Sequence, residues 1–180
     1  MAKKTAKKSV KKSAARKSAA KKKVSAIPAG YHTLTPHIVI RGAGKAIEWY
    51  EKALGAKRRS VMPGPDGSVM HAEIVINGST VMLGDENPQM GAKSPETLGG
   101  SASGLHLYVI DTDKAFARAI AAGARAEMPP MDMFWGDRYG RFVDPFGHKW
   151  SIATRIEDVS PKEMGKRAAA EMAKTAGQKG

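Results

Sequence analysis

The sequence predicts an α+β protein built from two copies of a βαβββ module, forming a curved mixed sheet around a cavity with helices outside. Three observations support this. A strand–helix–strand–strand–strand order occurs twice. The two runs match by residue type at several points. Between them, Asp85 to Ser103 is rich in Gly, Pro, Asn and Ser, as expected of a linker or a loop over a pocket.

Taking the first run in order, Thr35 to Arg41 alternates as a strand around His37-Ile38-Val39-Ile40. Lys45 to Leu54 reads as a helix, with Ile47, Trp49, Tyr50 and Leu54 as its apolar bulk and Gly55 as its stop. Ala56 to Met62 is a second strand, closed by the Pro63-Gly64-Pro65-Asp66-Gly67 turn. Val69 to Ile76 is a third, Asn77-Gly78 a hairpin turn, and Thr80 to Leu83 a fourth strand. In the second run, Leu105 to Ile110 is a strand, and Asp111-Thr112-Asp113 caps a helix to about Ala122, stopped by Gly123. Strands follow at Ala124 to Met128, Tyr139 to Val143 and Lys149 to Thr154. Ser160-Pro161-Lys162-Glu163 then opens a short helix to about Ala173, with serine as cap and proline at the first helical position.

The runs align as a duplication. Gly55 lies 18 residues after His37, and Gly123 lies 17 after His106; alanine follows each glycine, and Met62-Pro63 answers Met128-Pro129. The organisation is a basic tail over 1–29, a two-module domain over 30–160 (modules 33–85 and 104–156), and a C-terminal helix and tail over 161–180.

Charge is divided unevenly. The net charge is +13, yet Lys3, Lys4, Lys7, Lys8, Lys11, Lys12, Arg16, Lys17, Lys21, Lys22 and Lys23 stand in the tail with no acid among them, leaving +2 for the rest. Nothing apolar there offsets the entropy of ordering, so the free tail is expected to be disordered. It resembles the lysine- and alanine-rich tails of linker histones and bacterial histone-like proteins, which implies sequence-independent contact with nucleic-acid phosphates. A solubilising tail is the alternative. With no cysteine, disulfides and thiolate chemistry are excluded. No apolar run reaches the roughly 20 residues of a membrane span, and the N-terminus lacks a signal-peptide core. The expected location is cytoplasmic, with nucleoid association through the tail.

The stretches Ala46-Ile47-Glu48-Trp49-Tyr50 to Leu54-Gly55-Ala56, Met70-His71-Ala72-Glu73, Val81-Met82-Leu83-Gly84-Asp85, Phe134-Trp135-Gly136-Asp137-Arg138-Tyr139-Gly140 and Asp144-Pro145-Phe146-Gly147-His148-Lys149-Trp150 resemble the vicinal oxygen chelate superfamily. That group includes glyoxalase I, extradiol dioxygenases and bleomycin or fosfomycin resistance proteins; the match is to its PhnB-like branch. The resemblance covers residues 33–160 and implies a cavity between modules, within one chain or across a homodimer by module exchange. In metal-using members, first strands supply ligands and fourth strands supply glutamates. Here the first-strand positions fall near Thr35 and Gly104, and the glutamate positions hold Leu83 and Ser151.

Strand alternation places candidate residues independently. If Ala72, Ile74 and Ile76 meet the helices, His71 and Glu73 face the cavity; the same parity turns His37, His106, Tyr108 and Ser151 inward. His37, His71, Glu73 and His106 in one concavity suit Zn, Mn, Fe or Ni, or acid–base work; the alternative is a polar wall without a cofactor. Trp135 can stack on a ligand, Arg138 can hold an anion through its guanidinium fork, and Asp137 can orient Arg138 or act as a base. The other reading is an Asp137–Arg138 pair shaping a loop. The expected function is binding of a small oxygenated or anionic molecule. It is either a metal-assisted lyase, isomerase or dioxygenase, or a metal-free, resistance-type binding protein.

Overall fold

The computed structural model describes residues 24–177, so the lysines and arginine of the basic tail lie outside the described residues. The first module runs β1 (His37–Ile40), α1 (Ala43–Leu54), β2 (Lys57–Pro63), β3 (Val69–Ile76) and β4 (Ser79–Asp85). The second runs β5 (Gly104–Tyr108), α3 (Thr112–Ala121), β6 (Arg125–Asp132), β7 (Asp137–Val143) and β8 (Lys149–Arg155). The linker carries a single turn of helix, α2 (Pro95–Leu98), and α4 (Pro161–Gly177) closes the described chain. α4 runs past its expected end near Ala173, through Lys174 and Ala176, which favour helix.

The fold is α+β with duplicated modules. Each makes a separate four-stranded mixed sheet, ordered β1-β4-β3-β2 and β5-β8-β7-β6, with β1 parallel to β4 and β5 parallel to β8. β6 continues past Met128 through Pro129-Pro130 to Asp132. Proline cannot donate to a ladder, but β6 is an edge strand, and its pairing with β7 shifts register on either side of Met128.

Alternation decides which sheet face meets the core. In β3, Ala72, Ile74 and Ile76 are buried while His71, Glu73 and Val75 are half-buried on the other face. α1 lays Ala43, Ala46, Ile47, Tyr50, Ala53 and Leu54 against that core as one stripe, and Gly55 ends it with φ 68° and an N–H donated to the Tyr50 carbonyl. The helices of the two modules touch each other. Trp49 Nε1 donates to the Ala122 carbonyl at 2.8 Å, and Arg118 Nε to the Ala53 carbonyl at 2.7 Å. Tyr50 packs at 5.7 Å from Trp150, a core residue of β8. The helix-bearing faces of both sheets therefore share one core, and each sheet turns its polar face away from that core.

The tie at the centre of this core is Asp144, in the β7–β8 turn and 4% exposed. One carboxylate oxygen accepts the backbone N–H groups of Phe146 and His148, both at 2.9 Å. The other accepts Tyr50 Oη at 2.7 Å from the first module and Trp150 Nε1 at 2.9 Å from the second. Burial, and then the Asp144 charge, push the Tyr50 phenol well above its ordinary value, so it stays a donor. Breaking this node leaves buried groups unpaired. Tyr50→Phe should cost about 1–3 kcal/mol and Asp144→Ala more, both read as a lower urea midpoint at unchanged slope. Unchanged midpoints would remove Asp144 as the tie between modules.

Candidate functional site

The polar face of sheet 1 can be read in cross-strand rows. One row is His37–Met82–Glu73–Ser60, and beside it Val39 pairs with Gly84 and His71 with Met62. The His37 and His71 rings meet edge to face at 6.2 Å. Glu73 sits between His71 Nε2 and Arg59 Nε, each at 3.5 Å. The Tyr31 hydroxyl, then His71 and Arg59, hold its carboxyl below the usual range. Tyr31 is brought there by the segment before β1: Arg59 donates to the Ala29 carbonyl at 2.7 Å and lies 4.6 Å over the Tyr31 ring. A cavity of about 650 Å³ opens at one end of this face, walled by His37, Val39, Gly84, Met70, Asn87 and Met90.

The same rows on sheet 2 are His106–Ser151–Arg141–Met128 and Tyr108–Ala153–Tyr139–Met131. His106 Nδ1 and Ser151 Oγ are 2.8 Å apart. The His106 ring lies 4.7 Å from Tyr108 and 6.1 Å, nearly parallel, from Tyr139; Tyr139 meets Trp135 at 5.6 Å. Asp137, 7% exposed, supports this aromatic surface by accepting Trp135 Nε1 at 3.0 Å and Tyr108 Oη at 3.4 Å. Gly136 has φ 95°, and a Cβ there would meet the Glu157 carbonyl at 2.5 Å, so the chain leaving β8 crosses directly over the turn that presents Trp135.

A family model for the glyoxalase/bleomycin resistance protein/dioxygenase superfamily matches residues 32–152. The chain belongs to that superfamily. An uncharacterized protein of Mycobacterium bovis is 47% identical over 134 residues, covering 73% of this chain and 88% of its own. Protein YjdN of Escherichia coli is 26% identical, covering 66% and 92%. Among solved structures, TioX from Micromonospora superposes with TM-score 0.55 at 24% identity, covering 68% of this chain and 98% of its own. A PhnB protein from Bacillus cereus does so with 0.54 at 19%, covering 68% and 99%. At those identities the superpositions speak for the fold alone.

Against that superfamily frame, three expectations are corrected. His37, His71 and Glu73 share sheet 1, but His106 stands on sheet 2. Among the described residues no three His, Cys, Asp or Glu side chains are grouped to hold a metal. The Glu73 carboxylate is moreover already engaged by Arg59, His71 and Tyr31, so these residues do not fit a metal within one chain. Second, the counterpart of Ser151 is Met82 and not Leu83: His37 pairs with Met82 as His106 pairs with Ser151, and Leu83 is in the core. Third, Arg138 does not share a wall with Trp135. It lies on the same side of β7 as the buried Phe142, where it pairs with Asp113 at 2.7 Å and Asp132 at 3.1 Å. Asp137 is not its partner.

Tyr139 and Arg141 were missed, although the parity that places Phe142 in the core turns both outward. Asp85, the last residue of β4, and Glu86 after it tie neighbouring segments together. Asp85 accepts the Gly42, Ala43 and Val69 N–H groups. Glu86 gathers Thr97 Oγ1 at 2.6 Å, the Ser94 N–H at 3.0 Å and Arg41 Nε at 2.7 Å, and these lower its pKa to about 2, with Thr97 contributing most. A lowered folded value means this clamp on the linker is complete above about pH 4.5 and is lost as pH falls toward 2. A carbon-detected NMR titration should place the Glu86 midpoint near 2; a midpoint at the ordinary 4.5 would mean that the clamp is open in solution.

Proposed function

We propose that this chain is a metal-free binding protein that holds a small, planar, oxygenated molecule against the polar face of sheet 2. The carrying observation is the continuous ring surface of His106, Tyr108, Tyr139 and Trp135, fixed from behind by the buried Asp137. Ring faces offer stacking area at little entropic cost, and the hydroxyl of Ser151 and imidazole of His106 supply hydrogen bonds beside them.

A second copy closes the site in this reading. In one chain β2 is exposed along its whole length, and Met62, Tyr108 and Met131 stand exposed on the polar faces of the two sheets. Sheet 1 of one copy over sheet 2 of another would cover them. A metal-assisted lyase, isomerase or dioxygenase would need the same pairing, to bring His106 of one copy to His37, His71 and Glu73 of the other. Its test is elemental analysis of protein grown with Zn, Mn, Fe and Ni, where a stoichiometric metal would favour catalysis over simple binding.

The basic tail is proposed to tether this domain to nucleic acid. Eleven cations without one acid give non-specific affinity for phosphate backbones that falls steeply with salt.

Two outcomes are expected. Tyr139→Ala should weaken binding of both 2-naphthoate and its neutral amide by about threefold to tenfold in calorimetry, at unchanged unfolding midpoint. Failure of wild-type protein to bind either compound would end the aromatic-face reading. Deleting residues 1–27 should abolish salt-sensitive binding to random-sequence duplex DNA and leave the unfolding midpoint in place; equal affinity after truncation would refute the tether.

A further inference from the structure

The two sheets carry the same lattice of positions but opposite chemistry. Counting across the rows from the histidine of the first strand in each module, Glu73 on sheet 1 corresponds to Arg141 on sheet 2. Their surroundings differ more than their signs. Glu73 is held by Arg59 and His71. Arg141 is exposed, directly opposite Ser151 of β8, and makes no ion pair or side-chain hydrogen bond among the described residues.

The next row toward the linker is Gly104–Lys149–Val143–Arg125. Lys149 is thus a diagonal cross-strand neighbour of Arg141, with Cβ atoms about 7 Å apart in such pairs, close enough for two long side chains to reach one group. Lys149 too has no ion pair among the described residues. Lys149 and Arg125 line a groove of about 570 Å³ floored by Val143 and bordered by Gly99, Gly100 and Ser101 of the linker. Three acids also line it, but each is engaged: Glu96 by Arg41 at 2.8 Å, Glu127 by Arg125 at 3.6 Å, and the buried Asp144 by Tyr50, Trp150 and its own turn. Along one face, sheet 2 therefore passes from Lys149 and Arg141, neither with an acid partner among the described residues, past His106 and Ser151, to the rings of Tyr108, Tyr139 and Trp135.

We infer that the ligand of this face is an aromatic oxyanion, its carboxylate or phosphoryl group held by Arg141 with Lys149 and its ring laid on Tyr139 and Tyr108. The assignment rests on the aromatic-face reading above and adds the polarity and direction of the ligand. It also moves the anion-holding role from Arg138, whose fork is filled by Asp113 and Asp132, to the guanidinium that has no partner. A free guanidinium fork matches two oxyanion oxygens at once, which a neutral amide of the same shape cannot reproduce.

The test uses full-length protein and 2-naphthoate, 2-naphthamide and 2-naphthyl phosphate, with affinities from calorimetry. Wild type should bind both anions at least tenfold tighter than the amide, with the preference shrinking as salt rises. Arg141→Gln should bring all three within about threefold of one another, Lys149→Gln should remove part of the preference, and Arg138→Gln should leave it intact. The order of the two anions separates a carboxylate from a phosphoryl preference. Equal binding of anions and amide by wild type would overturn the oxyanion site while leaving the aromatic face standing; no binding of any of the three would overturn both. If Arg141→Gln preserves the preference but raises the dimer dissociation constant in sedimentation, Arg141 pairs with Glu73 of a second copy, and the ligand role is overturned.

Discussion

Asp144 is the constraint on which the rest of the molecule depends. A carboxylate this deeply buried is tolerable only if its charge is met by donors, and it has four, two from its own turn, one from the first module and one from the second. The donors come from parts of the chain about 90 residues apart in sequence, so the node forms only when both modules are folded and docked. It also fixes their mutual orientation. Tyr50 must project from α1 toward β8, which sets the two helices side by side and turns both helix-bearing sheet faces inward. His148 adds a second tie, with Nε2 3.2 Å from the Val39 carbonyl of β1; burial keeps its imidazole below the ordinary pKa and so favours the neutral ring.

The position of the polar faces follows. Once the apolar faces are used up in a shared core, His37, His71 and Glu73 stand on the polar face of one sheet and His106, Tyr108 and Arg141 on that of the other. The polar residues are thus divided between two separate sheets. That geometry explains why residues that alternate correctly along their strands fail to meet: strand parity governs the face of a sheet, and the packing between modules governs which faces oppose each other. Nothing in a two-residue period carries the second kind of information.

The legible part of this protein was what periodicity and punctuation encode. The duplication, the four-strand modules, Gly55 as a helix stop and Val69–Ile76 as a strand all follow from local pattern, and so does the separation of His71 and Glu73 from the core face of β3. The Asp-Pro-Phe-Gly-His turn was legible as a family signature but not as an inter-module node, because its partner Tyr50 lies far away in sequence. Tyr31 stood in an irregular segment with no period to read, and only the Arg59 grip on Ala29 and Gly30 brings it to Glu73. Arg141 is a different kind of miss. Phe142 marks the core face of β7 plainly, and the same parity applied there exchanges Arg138 for Arg141.

That exchange shows why residue type alone is a poor guide to a binding group. Arg138 and Arg141 share a strand, a charge and a fork of donors. Arg138 spends its donors on Asp113 and Asp132, so an incoming anion would have to break two ion pairs to gain one, with little net return. Arg141 has only water to give up, and its neighbour Lys149 adds a second charge that repels it until an anion arrives. The unfavourable proximity of two unpaired cations is relieved by an oxyanion and by nothing else in the described part of the chain. The duplicated lattice thus yields an acid already satisfied on one sheet and a base left open on the other, and only the open one has free energy to offer a ligand.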